Sequence, residues 1–286
     1  MSRPVPVAAT IAELRDFVRA QHAAGARIGL VPTMGALHDG HLSLIEAARL
    51  RADRVIATIF VNPTQFGVNE DFSRYPRTFE ADRARLAEVA ADLVFAPSVA
   101  DMYPEGFVTT VSLAGPARAG LEDRFRPEHF AGVATVVAKL LNQAQADIAV
   151  FGEKDYQQLL VIRQMARDLD IPTEIAGAPT LREPDGLARS SRNVYLSPQE
   201  RARAPALFRA LDAAARAIAA GAGIDDSLAA ARKSVAHAGF DIDYIDARDA
   251  LTLAPVADNA TEAIRILAAA RIGATRLIDN VAVPAA

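Results

Sequence analysis

The chain reads as an α/β protein, a doubly wound parallel sheet followed by a smaller α+β C-terminal domain. Three observations carry that reading. Runs such as Ile28-Gly-Leu-Val31 and Ile148-Ala-Val-Phe151 are apolar without alternation, as strands covered on both faces are. Segments with helical spacing separate these runs, which argues for strand–helix–strand units. After Asp185-Gly186 the texture changes to alanine-rich helices and short strand-like stretches.

In chain order, residues 8–24 predict an amphipathic helix with Ile11, Leu14, Phe17 and Val18 on one side. Strands are expected at 27–31, 54–61, 93–95, 108–111, 148–151 and 173–176. Helices are expected at 41–52, 79–91, 131–145 and 155–168. Beyond a boundary near residue 180, helices over 198–220 and 225–238 precede strands near 240–247, 263–269 and 275–280. This divides the chain into 1–180 and 181–286. Internal repeats are absent from the sequence.

Composition narrows the chemistry. The 286 residues are 51% apolar and 23% charged, an ordinary globular balance with room for a sizeable core. Without cysteine, the chain has no disulfides, thiolate metal sites or thiol nucleophiles. A net charge of −4 and no long basic cluster argue against bulk nucleic-acid binding. With no apolar run of signal or membrane-spanning length, a soluble cytoplasmic protein is expected. Lysine is scarce, at Lys139, Lys154 and Lys233, so a lysine inside a motif is informative.

The first expected strand runs into Pro32-Thr-Met-Gly-Ala-Leu-His-Asp-Gly-His41 and then a helix. A glycine-bearing turn at a helix start presents free backbone N–H groups and the helix dipole, which suits phosphate. His38 and His41 add side-chain donors there. As a plain reading, the two histidines merely cap a helix; a metal reading lacks further ligands at suitable spacing.

Other polar groups fall at the same carboxyl edge of the sheet, where open α/β sheets bind ligands. Asn62-Pro-Thr-Gln-Phe-Gly67 offers Asn62 and Gln65, though it also reads as a simple turn. Asp71-Phe-Ser-Arg-Tyr-Pro-Arg-Thr78 supplies Arg74, Tyr75 and Arg77. Phe151-Gly-Glu-Lys-Asp-Tyr-Gln-Gln158 repeats the strand–glycine–helix pattern, with Lys154 as a point charge for phosphate and Gln158 one turn on. Ser190-Ser-Arg-Asn193 adds hydroxyls and a guanidinium suited to a triphosphate, or a polar linker. Neither the dinucleotide fingerprint nor the P-loop pattern occurs.

Together these motifs resemble the pantothenate synthetase (pantoate–β-alanine ligase) family of the HIGH-motif nucleotidyl transferases. PTMGALHDGHLSLI, FVNPTQFG, DFSRYPRT, FGEKDYQQ and SSRNVYLS stand in the family's order across the N-terminal two-thirds. The resemblance implies a Rossmann-like domain, a smaller domain closing over ATP, and ATP-dependent joining of pantoate to β-alanine through pantoyl adenylate. AMP and pyrophosphate are released. It implies ATP contacts at Pro32, Thr33, Met34, Gly35, Ala36, Leu37, His38, Asp39, Gly40 and His41. Further ATP contacts would come from Gly152, Glu153, Lys154, Asp155, Leu181, Arg189, Ser190, Ser191 and Arg192. Catalytic roles fall to His41, His38 and Lys154, and His41 is the family's proton donor. Stabilisation of charge on the phosphate is the larger expected role, because pyrophosphate leaves readily.

By the same resemblance, Gln65, Gln158 and Met34 hold pantoate and β-alanine, Asp82 faces Mg²⁺, and the chain forms a homodimer. Two departures stand out. Arg189 replaces a more usual Met or Leu, and Ala81 leaves no second carboxylate beside Asp82. Rival readings are a transferase acting on a phosphorylated acceptor, a tRNA synthetase relative and a silent nucleotide-binding module. The neutral pair Gln65 and Gln158 speaks against the first, and the missing basic patch against the second.

Overall fold

A computed structural model describes residues 4–67, 72–257 and 262–285. Six parallel strands form the main sheet: β1 (Val7–Ala8), β2 (Ile28–Val31), β3 (Arg54–Thr58), β4 (Leu93–Phe95), β5 (Ile148–Gly152) and β6 (Glu174–Ala178). Their spatial order is β1-β4-β3-β2-β5-β6. The chain therefore winds outward from β2 through β3 to β4, then restarts on the other side of β2 with β5. The point where direction reverses, between β2 and β5, is where such sheets open a crevice.

Alternate side chains of each strand serve two cores. Leu30 and Phe151 point into one with α1 (Ile11–Ala23), α6 (His129–Ala144) and α7 (Tyr156–Asp168). Val31, Ile148 and Val150 point into the other with α2 (Asp39–Arg49) and α3 (Phe79–Glu88). That two-sided burial explains the unalternating apolar runs. The helix starts follow from local chemistry as well: Thr10 and Glu13 form a reciprocal cap on α1.

Short helices α4 (Val99–Met102) and α5 (Glu122–Phe125) punctuate the long β4–α6 connection. Residues 108–111, expected as a strand, pair with no strand; the Val111 N–H donates instead to Thr135 Oγ1 at 2.9 Å. β-branched composition favours extended backbone but supplies no partner edge. Conversely, β1 at the sheet edge, only two residues long, was not expected, and its Ala8 falls at the first position of the helix expected over 8–24. The single helix expected over 198–220 divides into α8 (Pro198–Arg203) and α9 (Ala206–Ala219) at Pro205, whose ring has no N–H to continue the ladder.

The C-terminal part is a three-stranded antiparallel sheet, β7 (Asp241–Asp249), β8 (Ile264–Ile272) and β9 (Thr275–Ala282), in that order. Ile266, Ala268, Ala270 and Ile272 of β8 face α9 and α10 (Ile224–His237). Leu267, on the opposite face of β8, belongs to the core of the parallel sheet. The small sheet thus lies against the large one. No helix among the described residues is long and apolar enough to cross a membrane.

Candidate active site

The turn after β2 is built from unusual backbone. Gly35 and Ala36 both take positive φ, +80° and +50°. A Cβ on Gly35 would lie 3.0 Å from Asp82 Oδ2, so glycine is required by conformation and by space. Asp82, on the first turn of α3, is 2% exposed and accepts the N–H groups of Ala36 at 2.9 Å and Leu37 at 2.8 Å. The Thr78 hydroxyl also donates to it at 3.2 Å. Its two oxygens are occupied in shaping the turn. No cluster of three His, Cys, Asp or Glu able to hold a metal exists among the described residues. The residues present do not fit a resident magnesium at Asp82.

The two histidines then form a reciprocal cap at the start of α2. The Gly40 N–H donates to His38 Nδ1 at 3.1 Å, and the His38 N–H donates to His41 Nδ1 at 3.3 Å. A ring nitrogen that accepts carries no proton, so each neutral ring bears its proton on Nε2. Burial pulls the His38 imidazole down to about 4, reinforced by Lys154, Arg189 and Arg85 and opposed by Asp39. Burial also drives His41 well below its ordinary value, with His38, Lys154 and Arg85 adding to it. Both rings are therefore neutral near pH 7, each an N–H donor rather than a cation.

Neighbouring segments converge on these rings. A cavity of about 210 Å³ is lined by Pro32, Thr33, Met34, His38, Gly40 and His41, together with Asn62, Gln65, Tyr75, Gly152, Lys154, Asp155, Gln158, Leu181, Arg189, Ser190, Ser191 and Arg192. A second, larger cavity of about 830 Å³ shares Gln65, Lys154, Asp155, Gln158, Ser190 and Arg192 and extends beneath β8 and β9. Lys154, with its side chain 18% exposed and Nζ 3.7 Å from Asp155, stands where the two meet.

Four of the expected ATP residues in the turn and one beyond it lie outside the wall of the smaller cavity. Gly35 and Ala36 shape the turn, Leu37 is buried in the α2–α3 core, and Asp39 pairs with Arg85 and Arg189. Glu153 instead pairs with Arg265 at 3.1 Å. Arg189 joins Asp39 to Glu183, at 3.1 Å from the latter. It pins the segment before Ser190 onto the start of α2 rather than pointing into solvent. The Ser191 hydroxyl reaches Ala36 O at 3.4 Å.

The amide side of the site is equally held. Asn62, 1% exposed, donates to Gln65 Oε1 at 3.1 Å and to Gly132 O at 3.2 Å, and accepts from Tyr103 Oη at 2.8 Å. Gln65 Nε2 donates to Met34 Sδ at 2.9 Å. The Gln65 carbonyl meets His129 Nδ1 at 2.9 Å and Arg126 at 3.3 Å. α6 comes so close that a Cβ on Gly132 would fall 2.2 Å from Thr64 O. Tyr75 is buried and Arg74 faces the larger cavity, so the Tyr-Pro-Arg-Thr loop reaches the site; Asp71 of that motif lies outside the described residues.

Sequence reasoning missed Tyr103, Arg126, His129 and Asn280. For Arg126 and His129 a signal existed, a basic pair at the start of the most apolar helix; for Tyr103 and Asn280 nothing local marks them.

The model of the pantoate-β-alanine ligase family matches residues 6–282. The pantothenate synthetase of Rhodopseudomonas palustris is 54% identical over 99% of this chain and its own full length. The crystal structure of pantothenate synthetase from Thermus thermophilus superposes with a TM-score of 0.92 at 48% identity, covering 98% of this chain and 99% of that one. That of the Francisella tularensis ligase, complexed with β-γ ATP and β-alanine, gives 0.81 at 35% identity over 97% of each chain. With the whole length matched in sequence and in fold, the chain belongs to the pantoate–β-alanine ligase family.

Proposed function

We propose that the histidine turn, Lys154 and the Gln65–Gln158 pair carry out the family's ATP-dependent condensation of pantoate with β-alanine in two steps. In the first, a pantoate carboxylate oxygen attacks the α-phosphorus of ATP. The new P–O bond forms as the bond to the β-phosphate oxygen breaks, and pyrophosphate leaves with that electron pair. In the second, the free amine of β-alanine attacks the pantoyl carbonyl, the intermediate collapses with loss of an amine proton, and AMP leaves.

The observation that carries this reading is the pair of neutral imidazoles fixed as Nε2–H donors, with Lys154 lining the same cavity. Charge grows on the phosphate oxygens as the phosphorus becomes five-coordinate, and preorganised donors stabilise it without reorganising. A neutral ring cannot give up a proton as readily as a cation, so His41 acts here as a hydrogen-bond donor first. Gln65 now donates to a thioether, a weak acceptor that a pantoate oxygen would readily replace. Gln158 lines both cavities, which suits a residue gripping the acid between nucleotide and amine.

Glycine-rich backbone at Gly35 to Gly40, Leu181 and the Arg189 to Arg192 segment would take the nucleotide. Residues 181–286 would cover it, since β8 and β9 roof the larger cavity. Magnesium enters on the ATP phosphates as part of the substrate, because Asp82 is committed to backbone. We assign the enzyme to the cytoplasm and to a homodimer. Val108 stands 91% exposed on the 108–111 stretch, which pairs with no strand among the described residues, and light scattering tests the dimer.

A pyrophosphate-release assay tests the reaction. Release should require pantoate but not β-alanine, and AMP should follow only when β-alanine is added. Pyrophosphate release that waits for β-alanine would refute the two-step order.

A further inference from the structure

β9 of the small sheet touches the segment that carries Lys154. Asn280, 3% exposed, donates from one Nδ2 to both Glu153 O at 2.8 Å and Lys154 O at 3.0 Å. Two carbonyl acceptors fix which end of the amide is nitrogen. Its Oδ1 is buried with no partner, an arrangement unfavourable to stability in its own right. Buried amides half-satisfied in this way ask for a reason other than packing.

The contact is reinforced on either side. Arg265 of β8 pairs with Glu153 at 3.1 Å and stacks 3.7 Å over the Tyr156 ring. The Tyr156 hydroxyl donates to Ala250 O at 2.8 Å. Residues 153–156 form the joint between β5 and α7, a single short turn with no side-chain cap of its own. A turn with no side-chain cap of its own takes its orientation from the groups that bind its backbone, here two amide hydrogen bonds to its carbonyls. Here the binding groups come from the other sheet, 126 residues further along the chain.

We propose that Asn280 is a positioning residue for Lys154, acting through the carbonyls of Glu153 and Lys154 so that the small sheet sets where the ammonium stands. The inference rests on the reading of Lys154 as a phosphate-facing cation. It makes adenylate formation depend on a residue in the wall of the larger cavity that acts through backbone carbonyls, because a displacement of about 1 Å in a charge-stabilising group is enough to slow a step about 100-fold.

The test is a cycle on pantoate-dependent pyrophosphate release with the full-length enzyme: wild type, Asn280→Leu, Lys154→Ala and the double variant. Asn280→Leu, branched alike at Cγ but with no donor, should slow release about 10- to 100-fold with the KM for pantoate little changed. The double variant should be no slower than Lys154→Ala alone, since residues acting as one unit are not additive. Asn280→Ser, which keeps one donor and the fold, should fall between Leu and wild type and serves if Asn280→Leu does not fold. Asn280→Leu at the wild-type rate, or a double variant slowed by the product of the two single losses, overturns the inference while leaving the site reading intact. Lys154→Ala at the wild-type rate overturns the site reading and this inference with it.

Discussion

The rings of His38 and His41 lie 4.1 Å apart, centroid to centroid, and the backbone N–H of His38 donates to His41 Nδ1. Each ring thereby has one nitrogen spent on backbone and one left for a ligand. With burial pulling His38 to about 4, protonation rather than deprotonation would damage the arrangement. The unfolded imidazole titrates near 6.5, so neutral His38 stabilises the fold fully above that pH. The contribution is lost as pH falls from about 6.5 to 4 and amounts to roughly 2–3 kcal/mol. NMR titration should show His38 neutral with its proton on Nε2 until pH nears 4. A His38 titration at its ordinary value would contradict this.

Lys154→Ala should fold and bind pantoate yet lose adenylate formation by ~3–4 kcal/mol, comparable to removing one oxyanion donor. Comparing pyrophosphate release with thermal stability separates the two effects. A folded variant near the wild-type rate would end the idea.

Asp82→Ala removes the acceptor for two backbone N–H groups and should destabilise the chain by about 1–3 kcal/mol while slowing adenylate formation. The magnesium concentration giving half-maximal rate should not move, because the carboxylate holds Ala36 and Leu37 rather than the ion. A large rise in that concentration would place the metal at Asp82 after all.

Gly132→Ala would press a methyl group into Thr64 O and push the Asn62–Gln65 turn away from α6. Overpacking of this kind costs about 1–3 kcal/mol. Denaturant midpoints and the KM for pantoate should both change. A variant with unchanged KM would show that the turn's position does not matter to pantoate.

Arg189→Leu removes one of the charges that depress His38. The His38 titration should move upward toward its ordinary value, and the Asp39 contact on the start of α2 should be lost. No upward movement would show that burial, Lys154 and Arg85 set the value without Arg189.

Much of the fold was legible because its physics is local. Ile28 to Val31 and Ile148 to Phe151 are covered on both faces, so their composition announces buried parallel strands. Many groups that line the smaller cavity were legible for the same reason, as they follow those strands directly. The helix expected from residue 8 starts at Ile11 instead, where Thr10 and Glu13 cap it. What sequence did not disclose are contacts between distant segments: Asp82 to Ala36 and Leu37, Arg126 and His129 to the Gln65 carbonyl, Asn280 to the Lys154 turn. No periodicity relates such residues. The 108–111 stretch failed in the opposite way, with strand-like side chains and no strand to pair with.

Attack by the carboxylate on the α-phosphorus leaves one pantoate oxygen on AMP when the amide forms. Running the complete reaction with pantoate labelled at its carboxylate by oxygen-18 measures this directly by mass spectrometry of the products. One labelled oxygen should appear in each AMP and none in pyrophosphate. Label in pyrophosphate, or unlabelled AMP with the one departing oxygen recovered in water, would contradict the adenylate route.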